Sequence, residues 1–266
     1  MPRAGDDKRA SADIPIEEKK TFDWIHALRD CVAMAPQSQM VCVLDRKADF
    51  FELFDEQRKK PRVELLVRAK HNRKTDDDDL RLFEAVRQSP PQSQFLLLVK
   101  RQIARPKRSR QKARDQVKPR TAQVELRYLP MTIDPPARLG DKLPVKLWVV
   151  HVREASPPAD TNPVEWFLLT TCKLDGVADA LACVRWYCLR WRIEDWHRVL
   201  KSGCGIEALA HKTRTRLERA IAIRLVTDKR IMHMTLLGRT CPELPAEVLF
   251  SDIEIEVLAA YTKKNN

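Results

Sequence analysis

The sequence predicts an α/β fold with an added antiparallel β region and a helical C-terminal part, on three observations. Two short apolar runs, Met40-Val41-Cys42-Val43-Leu44 and Val63 to Ala69, flank a helical stretch at residues 49 to 60, which reads as β-α-β. From about residue 90 strand-like segments follow one another without helices between them. From Val177 onward the pattern turns helical.

Each element has a local reason. Order is expected from Pro15-Ile16-Glu17-Glu18, where a proline and two acids suit a first helical turn. Phe22, Ile25, Leu28 and Val32 then recur at helical spacing. The run from Met40 to Leu44 reads as a strand buried on both faces, as in a parallel sheet, with Asp45 at its carboxyl end. Strands are expected at Gln94 to Lys100, Thr121 to Tyr128, Lys146 to Arg153 and Trp166 to Thr171, separated by joints such as Pro135-Pro136 and Pro157-Pro158. Asp175-Gly176 closes that region, and one long helix is expected from Val177 to Lys201. From Arg216 the chain reads as mostly helical, broken at Pro242 and Pro245.

At 266 residues the chain is longer than the roughly 100 to 200 of a typical domain, so one elaborated domain or two small ones are expected. A polar start and the lack of a long apolar run argue against secretion and membrane insertion. Seven cysteines, an odd set without a C-x-x-C pair, read as reduced thiols in a cytoplasmic protein. Six scattered histidines offer no usual zinc cluster, and six glycines write neither a P-loop nor a dinucleotide fingerprint.

Lys and Arg exceed Asp and Glu by 12, which favours a polyanionic partner without choosing among nucleic acid, acidic protein and membrane surface. Residues 100 to 120 hold ten Lys or Arg against one Asp, so +9 of that excess lies in one segment. Between two strands, such a run reads as a hairpin tip that lies along phosphates. Asp76 to Asp79 read as a solvated acidic turn, because consecutive carboxylates cannot all converge on one ion.

The densest chemistry lies in residues 187 to 201. On a continuous helix Tyr187, Arg190, Glu194 and Lys201 fall at about 0°, 300°, 340° and 320°, one face carrying a phenol, a guanidinium, a carboxylate and an ammonium. Trp191 lies beside that face. Such a face suits a phosphate held by Tyr187, Arg190 and Lys201 beside a metal-binding carboxylate. An i, i+4 ladder of Arg190, Glu194 and Arg198 is also common on solvated helices. Trp186, Trp191, Trp196 and Tyr187, gathered in a chain only 6% aromatic, favour the functional reading.

The pattern Y-x2-R-x3-E-x6-K formed by these four residues resembles the signature of the insertion sequence four family of cut-and-paste DDE transposases, whose core is RNase H-like. Asp45-Arg46-Lys47-Ala48-Asp49 is similar to that family's D-R-E-A-D motif, with Lys47 in place of Glu. Val67-Arg68-Ala69-Lys70-His71 resembles its following basic strand, and Glu165 to Thr171 the strand that closes its β insertion.

The resemblance implies that Asp45 and Glu194 are the second Asp and the Glu of a metal-binding triad for Mg²⁺ or Mn²⁺. It implies that Tyr187, Arg190 and Lys201 contact phosphates near a transposon end, and that Arg68, Lys70, His71 and Arg73 line the path of double-stranded DNA. Trp166 matches a position whose indole stacks on a flipped base, and a core tryptophan is its plain alternative. His197, one turn past Glu194, is a candidate for ordering water. The implied organisation is a polar leader (1–14), a partial RNase H-like core (15–90), an inserted β subdomain (91–172), core helices (173–237) and a C-terminal dimerisation-like region (238–266). A homodimer is implied for the full-length family.

The family's first triad Asp belongs upstream of the helix expected near Pro15, where only Asp6, Asp7 and Asp13 occur, without an apolar strand. The expectation is therefore an N-terminally truncated copy, inactive by itself. The competing expectations are a non-catalytic DNA-binding remnant or an inhibitor of full-length transposase and, more weakly, an RNA-binding protein.

Overall fold

The computed structural model describes residues 14–60, 62–74, 80–100, 118–159 and 161–265. The chain divides into two compact units, Met1–Arg190 and Trp191–Asn266. Among the described residues no helix is long and apolar enough to cross a membrane.

The first unit is built on one six-stranded sheet. Its strands are β1 (Met40–Leu44), β2 (Val63–Arg68), β3 (Ser93–Val99), β4 (Arg120–Ile133), β5 (Val145–Glu154) and β6 (Glu165–Thr170), in the order β1-β2-β6-β5-β4-β3. β1 and β2 are parallel and every other neighbouring pair is antiparallel. The expected antiparallel strands thus extend the sheet of the parallel pair, because β6 returns to lie against β2, with Arg68 opposite Leu168.

Period-two alternation sorts the sheet residues onto two cores. On one face Val63, Leu65, Val67, Val149, Phe167 and Leu169 pack with α1 (Phe22–Met34), α2 (Phe51–Gln57) and α3 (Leu82–Gln88). On the other, Leu66, Leu126, Val150, Val152 and Leu168 pack with Ala180, Cys183 and Val184 of α4 (Val177–Leu189). Burying each such Leu or Val contributes about 1.5–3 kcal/mol, so both layers are anchored by the sequence pattern itself. α1 presents Ile25 and Leu28, one turn apart, to the first core. α3 was not expected from the sequence; Leu82 and Val86 are its buried i, i+4 signal.

Two expectations are corrected. β1 is not buried on both faces: it is an edge strand, and all five of its residues are only half-buried. The helix expected from Val177 to Lys201 is not continuous. α4 ends at Leu189, a turn occupies Arg190 and Trp191, α5 covers Arg192–Arg198, and a π-helical segment covers Val199–Gly203. The Arg190 N–H reaches back three residues to the Tyr187 carbonyl (3.1 Å), and the Cys204 N–H reaches back five to Val199 (2.9 Å). Tight and wide turns replace the regular i−4 ladder, so a single helical wheel does not describe the four signature residues.

In the second unit, Gly205 leaves the π segment with φ +59°, a left-handed conformation that glycine adopts without a Cβ penalty. The long α6 (Arg214–Thr240) begins where the Thr213 hydroxyl accepts the Arg216 N–H, and it stops just before Pro242. α7 is Asp252–Asn265. Arg230 of α6 pairs with Glu254 of α7 (2.7 Å).

Candidate nucleic-acid interface

The site grows from the end of the parallel pair. Leu44 lies opposite Val67, so Asp45 and Arg68 leave β1 and β2 at the same end of the sheet. Val41 and Val43 face the α4 core, and Asp45 keeps an extended backbone, so alternation carries it to that face. The same alternation takes Arg68 there from Leu66, and Trp166 from Leu168. α4 supplies Tyr187 in its last turn and Arg190 in the residue that caps it.

These residues touch. Tyr187 is buried, its ring meeting Trp166 edge-on at 5.2 Å between centroids. The Arg190 guanidinium carbon lies 5.8 Å from the centre of the Tyr187 ring. Arg68 donates from Nη2 to the Glu165 carbonyl (3.3 Å), and the Tyr187 phenol lies within its electrostatic reach. Burial pushes the Arg68 guanidinium down from its ordinary value, the phenol opposes that, and the charges of Arg46 and Arg190 add to it. Among the described residues none of Arg46, Arg68 and Arg190 takes part in an ion pair. Three guanidiniums within electrostatic reach and without a counter-charge, Arg68 and Arg190 being partly buried and Arg46 exposed, form a place where an anion is favoured.

Asp45 borders this cluster. Its Oδ1 accepts the Lys47 N–H (2.8 Å) and so caps the short turn Arg46–Ala48, while Oδ2 accepts no hydrogen bond from the described residues. A carboxylate with one oxygen left over is the hard donor that Mg²⁺ or Mn²⁺ takes, and the donor chemistry fits. Glu194, the other expected ligand, is exposed on α5 and takes part in no ion pair among the described residues. It belongs to the second unit. Among the described residues no group of three or more His, Cys, Asp or Glu is gathered for a metal ion.

Asp49, the other acid of the D-R-x-x-D stretch, has a different place. It is buried, it accepts the Lys70 and His71 N–H groups at 2.6 and 2.9 Å, and it pairs with Arg73 at 2.5 Å. It therefore fixes the segment that follows β2. The Lys70 and His71 side chains remain exposed, whereas the Arg73 guanidinium is held by Asp49. That structural role was not read from the sequence, although the second Asp of the motif was its signal.

The remaining candidates lie in the second unit. Trp191 is its first residue and is exposed. Lys201 sits in the π segment and pairs with Glu207 (2.9 Å), both side chains being exposed. His197 is exposed and lies against the Trp196 ring at 5.2 Å. Trp196 and His197 also face Asp228, the one buried residue of α6, whose carboxyl is pushed up by burial. The polar Asp228-Lys229 break in an apolar stretch was its sequence signal. Asp76 to Asp79 and residues 101–117 of the basic run lie outside the described residues.

The α/β sheet and the placement of these residues agree with one finding from known proteins: the family model for the transposase DDE domain matches residues 25–227. The match covers well over half of the chain and takes in Asp45, Arg68, Tyr187, Arg190 and Glu194. DDE domains act on DNA in transposition and recombination and generally use divalent metal ions. This chain belongs to the transposase DDE domain family.

Proposed function

We propose that this chain serves in metal-dependent cutting and joining of DNA at transposon ends, in the manner of the insertion sequence four family. The observation that carries the reading is the unpaired Arg46, Arg68 and Arg190 cluster around the buried Tyr187, at the sheet end where Asp45 keeps a free oxygen. In this reading Arg68 and Arg190 grip phosphate oxygens, and the Tyr187 phenol orients Arg68 toward them. Lys70 and His71 track the duplex backbone, Trp166 stacks on an unpaired base, and Arg73 holds the Lys70–His71 segment through Asp49. Trp191, His197 and Lys201 also contact DNA, and the chain acts as the RNase H-like core of a homodimer.

Asp45 and Glu194 would hold Mg²⁺ or Mn²⁺. When bound, such ions activate water or a 3′-OH and stabilise the leaving oxygen of the phosphodiester. The cap hydrogen bond spends one Asp45 oxygen on Lys47 and leaves the other for the ion, which supports this reading.

The test is Mn²⁺ binding by the purified chain with and without a short duplex. The expected result is affinity that falls at least about tenfold in both Asp45→Asn and Glu194→Gln, as loss of one of few carboxylate ligands requires. Unchanged Mn²⁺ affinity in both variants, with duplex binding intact, would favour a DNA-binding protein without a metal centre.

A further inference from the structure

The ladder between β2 and β6 ends earlier than its register requires. Arg68 lies opposite Leu168, and the Ala69 N–H donates to the Phe167 carbonyl (2.8 Å), so the next bond of the ladder would run from the His71 N–H to the Glu165 carbonyl. Instead the Lys70 and His71 N–H groups both go to Asp49, which draws the chain away from β6. The Glu165 carbonyl accepts from the Arg68 Nη2 (3.3 Å) in their place, while the Arg68 Nε is buried without a hydrogen-bond partner among the described residues. A side chain thus stands where a main-chain donor has been withdrawn.

The carboxylate of the same residue is held on the other face. Alternation along β6 sends Glu165 to the side of Phe167 and Leu169, and Trp166 to the side of Leu168. There Arg87 of α3 donates to both carboxylate oxygens, at 2.9 and 2.8 Å, and the buried His151 of β5 meets Oε1 at 3.0 Å. Glu165 is the first residue of β6 and is paired with β5 alone, so this clamp fixes a strand end that the β2 ladder does not reach.

We propose that Glu165 is a positioning residue for Arg68: the clamp of Arg87 and His151 on its carboxylate fixes the strand end whose carbonyl aims the Arg68 guanidinium. The inference rests on the reading in which Arg68 grips phosphate. Without the clamp the strand end loosens, Arg68 must be ordered as DNA binds, and that ordering costs affinity. The Arg68 charge remains, so the number of phosphates neutralised, and with it the salt slope, stays the same. A weaker complex at an unchanged slope is therefore the mark of positioning, whereas removal of a direct phosphate contact lowers both.

The experiment is a double-mutant cycle on duplex affinity, measured with the full chain over a salt series. Glu165→Ala and, separately, Arg87→Ala should each weaken binding about fivefold without changing the slope. Each should lose this effect in the Arg68→Ala background, because a group that acts through Arg68 has nothing left to aim. The Arg87 side chain is 40% exposed, so its variant carries the test if a melt shows that Glu165→Ala does not fold. Equal losses with Arg68 present and absent, or no loss in either background, would overturn the inference and leave the reading of Arg68 standing. Unchanged affinity and slope in Arg68→Ala itself would overturn that reading and the inference with it.

Discussion

The two faces of β6 carry charged clusters a few residues apart, and they are built on opposite plans. Toward α3, His151 is fully buried, stacks on Phe167 at 4.3 Å between centroids, and meets Glu165 at 3.0 Å. Arg87 closes the other side with two hydrogen bonds to Glu165, at 2.9 and 2.8 Å, and lies 5.2 Å from the Phe167 ring centre. Each charge there has its counter-charge. Toward α4, Arg68 has a phenol and a carbonyl, and Arg46 and Arg190 have no carboxylate at all among the described residues. A closed cluster stabilises the fold; an open one leaves its interaction energy for a ligand.

The two acids of the D-R-x-x-D stretch repeat the contrast, and they set the largest expected effect. Asp49→Ala should cost about 3–5 kcal/mol in a urea or thermal melt, because it leaves a largely buried Arg73 charge and two N–H groups without their acceptor. Asp45→Asn should change stability by less than about 1 kcal/mol, since its one hydrogen bond caps an exposed turn. Equal losses would erase the distinction between the two acids.

Acid should open the closed cluster next. Burial pushes His151 down from 6.5 to about 4, so the unfolded chain takes up a proton in that window while the folded one does not. Stability is then lost as pH falls from about 6.5 to 4, by on the order of 3 kcal/mol. Arg87, with help from His151, holds Glu165 down at about 2, and its contribution is lost only as pH falls further, from 4.5 toward 2. His151→Gln should flatten the upper part of a stability-against-pH curve. A slope that survives this change would place the titrating group elsewhere.

The smallest effect expected is at the phenol. Tyr187→Phe keeps the ring against Trp166 and removes the hydroxyl within reach of Arg68, which should weaken duplex binding by a few-fold with little change in melting temperature. A drop in stability without a change in binding would make Tyr187 a core residue only.

Much of this architecture is legible in local sequence. β1 matches its apolar run from Met40 to Leu44, and β2 stops one residue short of the expected Ala69, because alternation and short length are local properties. The broken helix is not local in this sense. No proline or glycine stands at Arg190-Trp191, so nothing in the sequence marks the change from a four-residue to a three-residue hydrogen-bond span. The candidate site divides the same way. Asp45, Arg68, Tyr187 and Arg190 are visible as chemistry in a pattern, but the meeting of Arg68 and Tyr187 brings together a strand and a helix more than a hundred residues apart. Asp49 and Asp45 look alike in the sequence, and only the return of Arg73 tells them apart.

The most direct test compares one arginine from each face by the salt dependence of duplex binding. If the open face grips phosphates, Arg68→Ala and Arg190→Ala should each weaken binding about tenfold and lower the slope of log affinity against log salt by about one, whereas Arg87→Ala should leave that slope unchanged. Equal slopes for Arg68→Ala, Arg190→Ala and the unmodified chain would contradict the claim that this cluster is where the chain meets DNA.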